Sequence, residues 1–274
     1  MKKRWIDNPS NLCPPPNDKE VNEYINIIYK TITKGKPHAT TQAPQLIMTI
    51  GGPGAGKSTI MEILVNHHSD VDYKNYVQFD SDKLLDYLPI LGNKINNIPD
   101  INGKNTGIGY ALGWKECNKI LQNTNLIPTI INKLLKSNYN LILNIHNYTF
   151  IIDAQLNGYF CILVYVIVSK TTAIEIVKNR ANELGRFFSI SPKYIYGWAG
   201  PIDRMLTTYK EKAIWYSLWA DRFVVVNNNK KILPKKEDFK IIIPHPLYKT
   251  GEIKSNYWKL HIKKIYNIIF SLGG

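Results

Sequence analysis

The sequence predicts an α/β fold in which helices cover both faces of a mainly parallel sheet. Apolar, strand-like runs alternate with helical patterns from residue 46 to residue 226, an order typical of βαβ units. The run 161–168 is continuously hydrophobic, as expected of a strand buried on both faces. The glycine-rich segment Gly-Gly-Pro-Gly-Ala-Gly-Lys-Ser, at 51–58, joins the first strand to a helical pattern.

That segment is a complete G-x-x-x-x-G-K-[ST] phosphate-binding loop. Glycines 51, 54 and 56 are expected to adopt φ values that a side chain would resist, which turns backbone N–H groups toward an anion. The alternative, a glycine-rich turn with a chance lysine, is disfavoured because strand, loop and helix are all in register. The expected nucleotide-binding residues are Gly52, Pro53, Gly54, Ala55, Gly56, Lys57, Ser58 and Thr59. The loop predicts a nucleoside triphosphate site and a three-layer P-loop NTPase fold.

The remaining elements follow in order along the chain. Strands are predicted at 46–50, 76–79, 140–145, 161–168, 222–226 and 240–243, and residues 90–108 as an irregular insertion. Helices are predicted over 21–32, 57–68, about 110–122, 126–137, 150–157, 171–183, 201–219 and 256–271. The expected organisation is an N-terminal helical extension at 1–43, a P-loop core at 44–229 and a C-terminal extension at 230–274.

Composition limits the classes of partner. The 274 residues carry a formal net charge of +14, which would suit nucleic acid. The basic residues are dispersed, however, and AT-rich coding would also give this composition, so a nucleic-acid partner is not favoured. A polyanionic small molecule bound together with ATP would benefit from the same charge.

Neither a signal peptide nor a membrane span is expected, because no apolar segment approaches the ~20 residues that a span requires. The three cysteines, Cys13, Cys117 and Cys161, show no metal-binding spacing. They are expected to be reduced thiols, and the chain is expected to be cytoplasmic.

Polar residues at the carboxyl ends of strands are the candidates for chemistry, since ligands bind there in such sheets. Asp80 and Asp82 follow the second strand, His146 the third, and three asparagines the strand that ends at 226. Asp82 could deprotonate an acceptor hydroxyl facing the γ-phosphate, and Asp80 could hold Mg²⁺. The competing interpretation is that Asp82 caps a helix starting at Lys83.

Two arginines form the second candidate set. Arg180 and Arg186 lie on either side of a Glu-Leu-Gly turn at the end of a predicted helix. On a lid they could neutralise charge on the transferring phosphoryl group. The alternative is a helix C-terminus that favours cations and stops at Gly185.

Together these residues resemble the zeta toxin family of P-loop kinases over roughly residues 44–229. The likeness is carried by the loop at 51–58, by Asp82 with Pro89 seven residues on, by Arg180 and Arg186, and by the strand that ends at 226. The resemblance implies transfer of the γ-phosphate of ATP to a hydroxyl of a small molecule, including a nucleotide sugar. It makes Asp82 the general base, Lys57 and Ser58 the phosphate and Mg²⁺ ligands, and the two arginines the lid cations. Whether an antitoxin-like protein partner blocks the loop stays open.

The chain departs from the family pattern on the acceptor side. Leu85 and Leu88 stand where the family carries a basic residue and a histidine, and Asn144 stands where it carries an acidic residue. Three functions therefore stay open: a kinase of zeta-toxin type, a polynucleotide 5′-hydroxyl kinase, and a nucleotide-binding protein without transferase activity. The choice between ATP and GTP also stays open.

Overall fold

The computed structural model describes residues 13–40, 43–52, 54–88, 91, 117–145, 147–176, 202–229, 233–242 and 255–272. Within them six strands form one sheet: β1 (Gln45–Ile50), β2 (Val77–Asp80), β3 (Leu141–Asn144), β4 (Phe160–Ile167), β5 (Arg222–Asn227) and β6 (Lys240–Ile242). Their order across the sheet is β2-β3-β1-β4-β5-β6. All neighbours are parallel except β5 and β6, which pair antiparallel. The sheet is mainly parallel, as predicted.

Helices connect the strands, as parallel pairing requires. They are α1 (Asp18–Thr33), α2 (Lys57–His68), α3 (Leu126–Lys136), α4 (Thr149–Leu156), α5 (Ile202–Tyr216) and α6 (Ser255–Ser271). Residues 117–122 and 170–176 are also helical. The N-terminus of α1 is closed by a capping box, in which Asn17 and Glu20 exchange side-chain to backbone hydrogen bonds, a device that satisfies two orphan donors.

Two hydrophobic cores lie on opposite faces of the sheet, because successive strand side chains alternate between its faces. In β1, Leu46, Met48 and Ile50 belong to one core and Ile47 to the other. The first core also contains buried residues of α1, α3, α4, α5 and α6. The second contains Ile60, Met61, Leu64 and Val65 of α2 together with Ala173. Helices on both faces make three layers, which confirms the predicted fold class.

The cysteines correct one prediction. Cys13 and Cys117 form a disulfide with Cα atoms 5.3 Å apart, within the range that this bond requires. The prediction that both are reduced thiols is therefore wrong. The sequence did not show the pairing, because the two residues are 104 positions apart and meet only in the folded chain. Cys161 is a buried thiol, as expected. Within the described ranges, no helix is both long and apolar enough to cross a membrane.

Candidate active site

The phosphate loop connects β1 to α2 and has the backbone of an anion site. Gly54 and Gly56 have φ values of +72° and +73°, the left-handed region that glycine adopts without steric cost. Gly56 is the N-cap of α2 and provides no side-chain cap for it. The first N–H groups of α2 are therefore available to an anion, which the helix dipole favours.

The other two loop glycines are needed for close approach. The expectation of a special φ at Gly51 is wrong, since Gly51 does not have a positive φ. A Cβ atom at Gly51 would lie 3.0 Å from the carbonyl oxygen of Val166 on β4. A Cβ atom at Gly52 would lie 2.5 Å from Cδ2 of Leu206, which packs α5 against the loop.

Lys57 and Asn228 hold the loop from its two sides. The Lys57 ammonium donates to the carbonyls of Gly51 and Gly52, at 3.1 and 3.4 Å, so it lies over the loop where a phosphate would bind. On the other side, the Asn228 side-chain amide donates to the carbonyl of Ala55 at 2.8 Å. Lys57 belongs to the loop segment itself, whereas Asn228 directly follows β5 and is distant in the sequence.

The candidate base lies in a turn that begins where β2 ends. Ser81–Lys83 form a 3-10 turn, and Oδ1 of Asp80 accepts a hydrogen bond from the Asp82 backbone N–H at 2.9 Å. Asp80 is therefore the cap of this turn, and the alternative role of Asp82 as a cap is wrong. The Asp82 carboxylate is left to other partners.

A chain of side-chain hydrogen bonds connects this turn to β1. The Thr49 hydroxyl donates to Oδ1 of Asn144 at 3.1 Å, and the Asn144 amide donates to Oδ2 of Asp80 at 2.9 Å. The chain forms because β3 lies between β2 and β1 and places Asn144 beside Asp80. An acidic residue at 144 would place a second carboxylate against Asp80, whereas the amide donates to it.

Asp82 has the electrostatics of a group that can exchange a proton near neutral pH. The pKa of Asp82 is raised to about 6: burial raises it most, the negative charge of Asp80 also raises it, and the positive charge of Lys57 lowers it. Tyr209 of α5 lies on the same side, since burial and then the charge of Asp82 raise the pKa of its phenol. Base, lysine and phosphate loop are thus within electrostatic reach of one another.

The acceptor-side leucines do not line this site. Leu85 and Leu88 are 2% and 3% exposed and belong to the first hydrophobic core. The apolar side chains at these positions are therefore used for packing. Five residues that the sequence analysis named lie outside the described residues: Pro53, Pro89, His146, Arg180 and Arg186.

The candidate Mg²⁺ ligands are a hydroxyl and a carboxylate. Ser58 is exposed in the first turn of α2, and each oxygen of Asp80 accepts one hydrogen bond and keeps a further lone pair. Hard oxygen donors of this kind fit Mg²⁺, which binds one or two carboxylates and keeps several waters. In the described part of the chain, no group of three or more His, Cys, Asp or Glu residues could hold a metal.

Sequence reasoning missed Thr49, Leu206 and Tyr209 as components of this site. Each is a common residue within a strand or helix, and only the strand order and the packing of α5 bring them to the loop. Asn228 had a weak signal, because it stands at the carboxyl end of a strand.

Residues 29–107 match the family model described as zeta toxin, which confirms the resemblance seen in the sequence. The chain is also similar to a solved chain from the PezAT chromosomal toxin–antitoxin system of Streptococcus pneumoniae. The two share 15% identity, the match covers 94% of this chain and 98% of that chain, and the TM-score is 0.55. At this identity the likeness shows the fold.

A second solved chain, from Chloroflexus aurantiacus and assigned as a kinase, has 11% identity and a TM-score of 0.38. That match covers 85% of this chain and 99% of the other. No curated protein matches the sequence.

Proposed function

We propose that this chain, part of which matches the zeta toxin family, is a kinase that transfers the γ-phosphate of ATP to a hydroxyl group of a small molecule. One observation carries the proposal. The phosphate loop and the Asp82 turn meet at the carboxyl edge of the sheet, joined by the hydrogen bonds from Thr49 through Asn144 to Asp80. The proposal therefore places the triphosphate cradle and the carboxylate base on one hydrogen-bonded frame.

In this reaction Asp82 accepts the proton of the acceptor hydroxyl. The acceptor oxygen forms a bond to the γ-phosphorus, the bond from that phosphorus to the bridging oxygen breaks, and ADP leaves. Lys57 and the N-terminal amides of α2 bind the phosphates. Ser58 and Asp80 would hold Mg²⁺, which supplies charge neutralisation when bound. Arg180 and Arg186 are proposed as lid cations, and residues 44–229 as the kinase core.

The acceptor class is proposed from the charge of the chain and from the family. A net charge of +14 favours an anionic acceptor, such as a nucleotide sugar. The same charge supports the second candidate, a polynucleotide 5′-hydroxyl kinase. The PezAT likeness motivates a further proposal, that an antitoxin-like protein binds this chain.

The test incubates the protein with Mg²⁺ and γ-labelled ATP in three reactions: with a metabolite extract, with a panel of nucleotide sugars, and with 5′-hydroxyl DNA and RNA. Label in a small molecule supports the proposal, and label in polynucleotide alone supports the second candidate. Tight ATP binding without any labelled product would contradict both and leave a binding protein.

Two variants assign the base. Asp82→Asn should abolish transfer and keep ATP binding, because the amide cannot accept the proton. Asp86→Asn is the matched control, since this exposed aspartate lies four residues further along the same segment. Full activity of Asp82→Asn would refute the mechanism.

The cytoplasm, where ATP is made, is the compartment that this function requires. Disulfides are uncommon in that compartment, and this chain has one between Cys13 and Cys117. Thiol alkylation of the protein taken directly from cells, followed by mass spectrometry, measures how much of the disulfide forms in that compartment.

A further inference from the structure

The peptide group between Ser81 and Asp82 is held at both of its polar atoms. Its N–H donates to Oδ1 of Asp80 at 2.9 Å. Its carbonyl accepts from the Asn118 side-chain amide at 3.1 Å and from that of Gln122 at 3.4 Å. Because a peptide group is planar, holding both atoms fixes the orientation of the peptide plane that ends at Cα of Asp82.

Asn118 is an unusual residue for its surroundings. It is 1% exposed, and its Oδ1 is buried without a hydrogen-bond partner in the described ranges. A buried acceptor without a partner costs free energy that an apolar side chain would avoid. The contact that the asparagine does make is the hydrogen bond to Ser81, so its polar group serves the turn that carries Asp82.

The helical segment 117–122 is anchored on its other side by a covalent bond. Cys117, directly before Asn118, forms the disulfide with Cys13. Cys13 lies just before α1, whose Ile25 and Ile28 are buried in the first core, as are both cysteines. The disulfide therefore ties the neighbour of Asn118 to a packed helix.

We propose that Asn118 is a positioning residue for Asp82, acting through the Ser81 carbonyl, and that the Cys13–Cys117 disulfide holds Asn118 in place. This inference rests on the proposed function, in which Asp82 is the general base. Gln122, at a longer distance and exposed, is the weaker of the two contacts to the carbonyl.

The first test replaces Asn118 with alanine. We expect kcat for labelled transfer to fall roughly tenfold to hundredfold, because small displacements of a catalytic group have effects of that size. The KM for ATP should change less than twofold, since the phosphate loop is untouched. The matched control is Asn140→Ala: Asn140 is also buried and accepts from the Gln45 N–H at 2.8 Å, but it lies at the opposite end of the sheet. It should lose stability and keep kcat.

A second readout does not depend on activity. Amide hydrogen exchange of Asp82, followed by NMR, should become roughly tenfold faster in Asn118→Ala, as expected from the loss of the part-buried hydrogen bond to the Ser81 carbonyl in the same peptide group. It should be unchanged in Asn140→Ala. Wild-type exchange together with wild-type kcat in a folded Asn118→Ala protein would overturn the role of Asn118. Retained activity of Asp82→Asn would instead refute the proposed function, and the exchange result would still decide whether Asn118 holds the turn.

The disulfide has its own variant. Cys13→Ser should change kcat and Asp82 exchange in the same direction as Asn118→Ala, by a smaller factor. Treatment of the wild type with a dithiol should do the same: the reagent is oxidised to its cyclic disulfide, and Cys13 and Cys117 become two thiols. Wild-type kcat and exchange after both treatments would overturn the role of the disulfide. If Asn118→Ala fails to fold, Asn118→Ser, which keeps a shorter donor, takes its place and is expected to show an intermediate loss.

Discussion

Replacing Gly56 with alanine tests whether the phosphate loop is built for close approach as well as for its backbone angle. Gly56 has a φ of +73°, a conformation that costs an alanine roughly 1–2 kcal/mol. A Cβ atom there would also lie 2.5 Å from Nδ2 of Asn228, so the amide must move. Moving it breaks the 2.8 Å hydrogen bond to the Ala55 carbonyl, a further loss of about 1 kcal/mol. We expect Gly56→Ala to lower the free energy of unfolding by about 2–3 kcal/mol.

Gly35→Ala separates the two contributions. Gly35 has a φ of +69°, and no described atom lies within 4 Å of a Cβ built on it. This variant should therefore show the backbone cost alone, roughly 1–2 kcal/mol. Denaturant unfolding measures both variants, and thermal unfolding should show a shift of roughly 2–4 °C for each kcal/mol in a chain of this size. Binding of a fluorescent ATP analogue should be lost in Gly56→Ala and kept in Gly35→Ala.

A double variant identifies Asn228 as the cause. Asn228→Ala removes the amide that the new Cβ would meet, so Gly56→Ala/Asn228→Ala should cost about 1 kcal/mol less than the sum of the single changes. Equal losses of stability in Gly56→Ala and Gly35→Ala, or strictly additive losses in the double variant, would refute this reasoning.

Three further predictions concern the charges around the base. Since the pKa of Asp82 is raised to about 6 and the base must be ionised, kcat/KM should fall tenfold per pH unit below about pH 6, and a rate that is flat to pH 5 would contradict this. Between pH 3.8 and about pH 6 the folded state holds a proton on Asp82 that the unfolded state has released. Stability therefore falls as the pH rises through this range, and ionised Asp82 lowers it above about pH 6. At pH 7.5 Asp82→Asn should therefore raise the free energy of unfolding by up to about 3 kcal/mol, measured by denaturant unfolding, and the difference should vanish near pH 4. Asn144→Asp places a carboxylate against Asp80, so it should lower the free energy of unfolding by about 1–3 kcal/mol and move the acid limb of kcat/KM to higher pH. Asn147→Asp should do neither, because Asn147 is exposed and its side-chain oxygen already accepts from the Thr149 N–H.

Local patterns predicted the elements well where one face or both faces of an element are buried. The apolar run predicted at 161–168 is β4 at Phe160–Ile167, and the pattern at 57–68 is α2 with the same bounds. Even the short strand predicted at 240–243 is present as β6 at Lys240–Ile242, held by antiparallel pairing with β5. Such signals are local, since they depend on period and on the turn residues that flank each run.

The contacts that build the site are not local, and sequence alone did not predict them. Placing Asn144 against Asp80 requires β3 to lie beside β2, and the periodicity of a strand carries no information about its neighbours. Asp80 is the cap because β2 ends at that residue and the 3-10 turn begins at Ser81. A helix that began at Lys83 would have had Asp82 as its cap, two residues later. Asn118 showed no signal at all, because an isolated asparagine in a helical pattern looks like any surface position.

The disulfide also has a topological consequence. It closes residues 13 to 117 into a covalent ring that encloses β1, the phosphate loop, α2 and the Asp82 turn, while Arg180, Arg186 and Asn228 lie outside it. A single proteolytic cut anywhere inside the ring opens it without releasing a fragment, so such a nicked protein keeps its full mass until it is reduced. The ring can close only after residue 117 has left the ribosome. The phosphate loop and the Asp82 turn thus belong to one covalent ring, whereas Asn228 contacts the loop from outside that ring through folding alone.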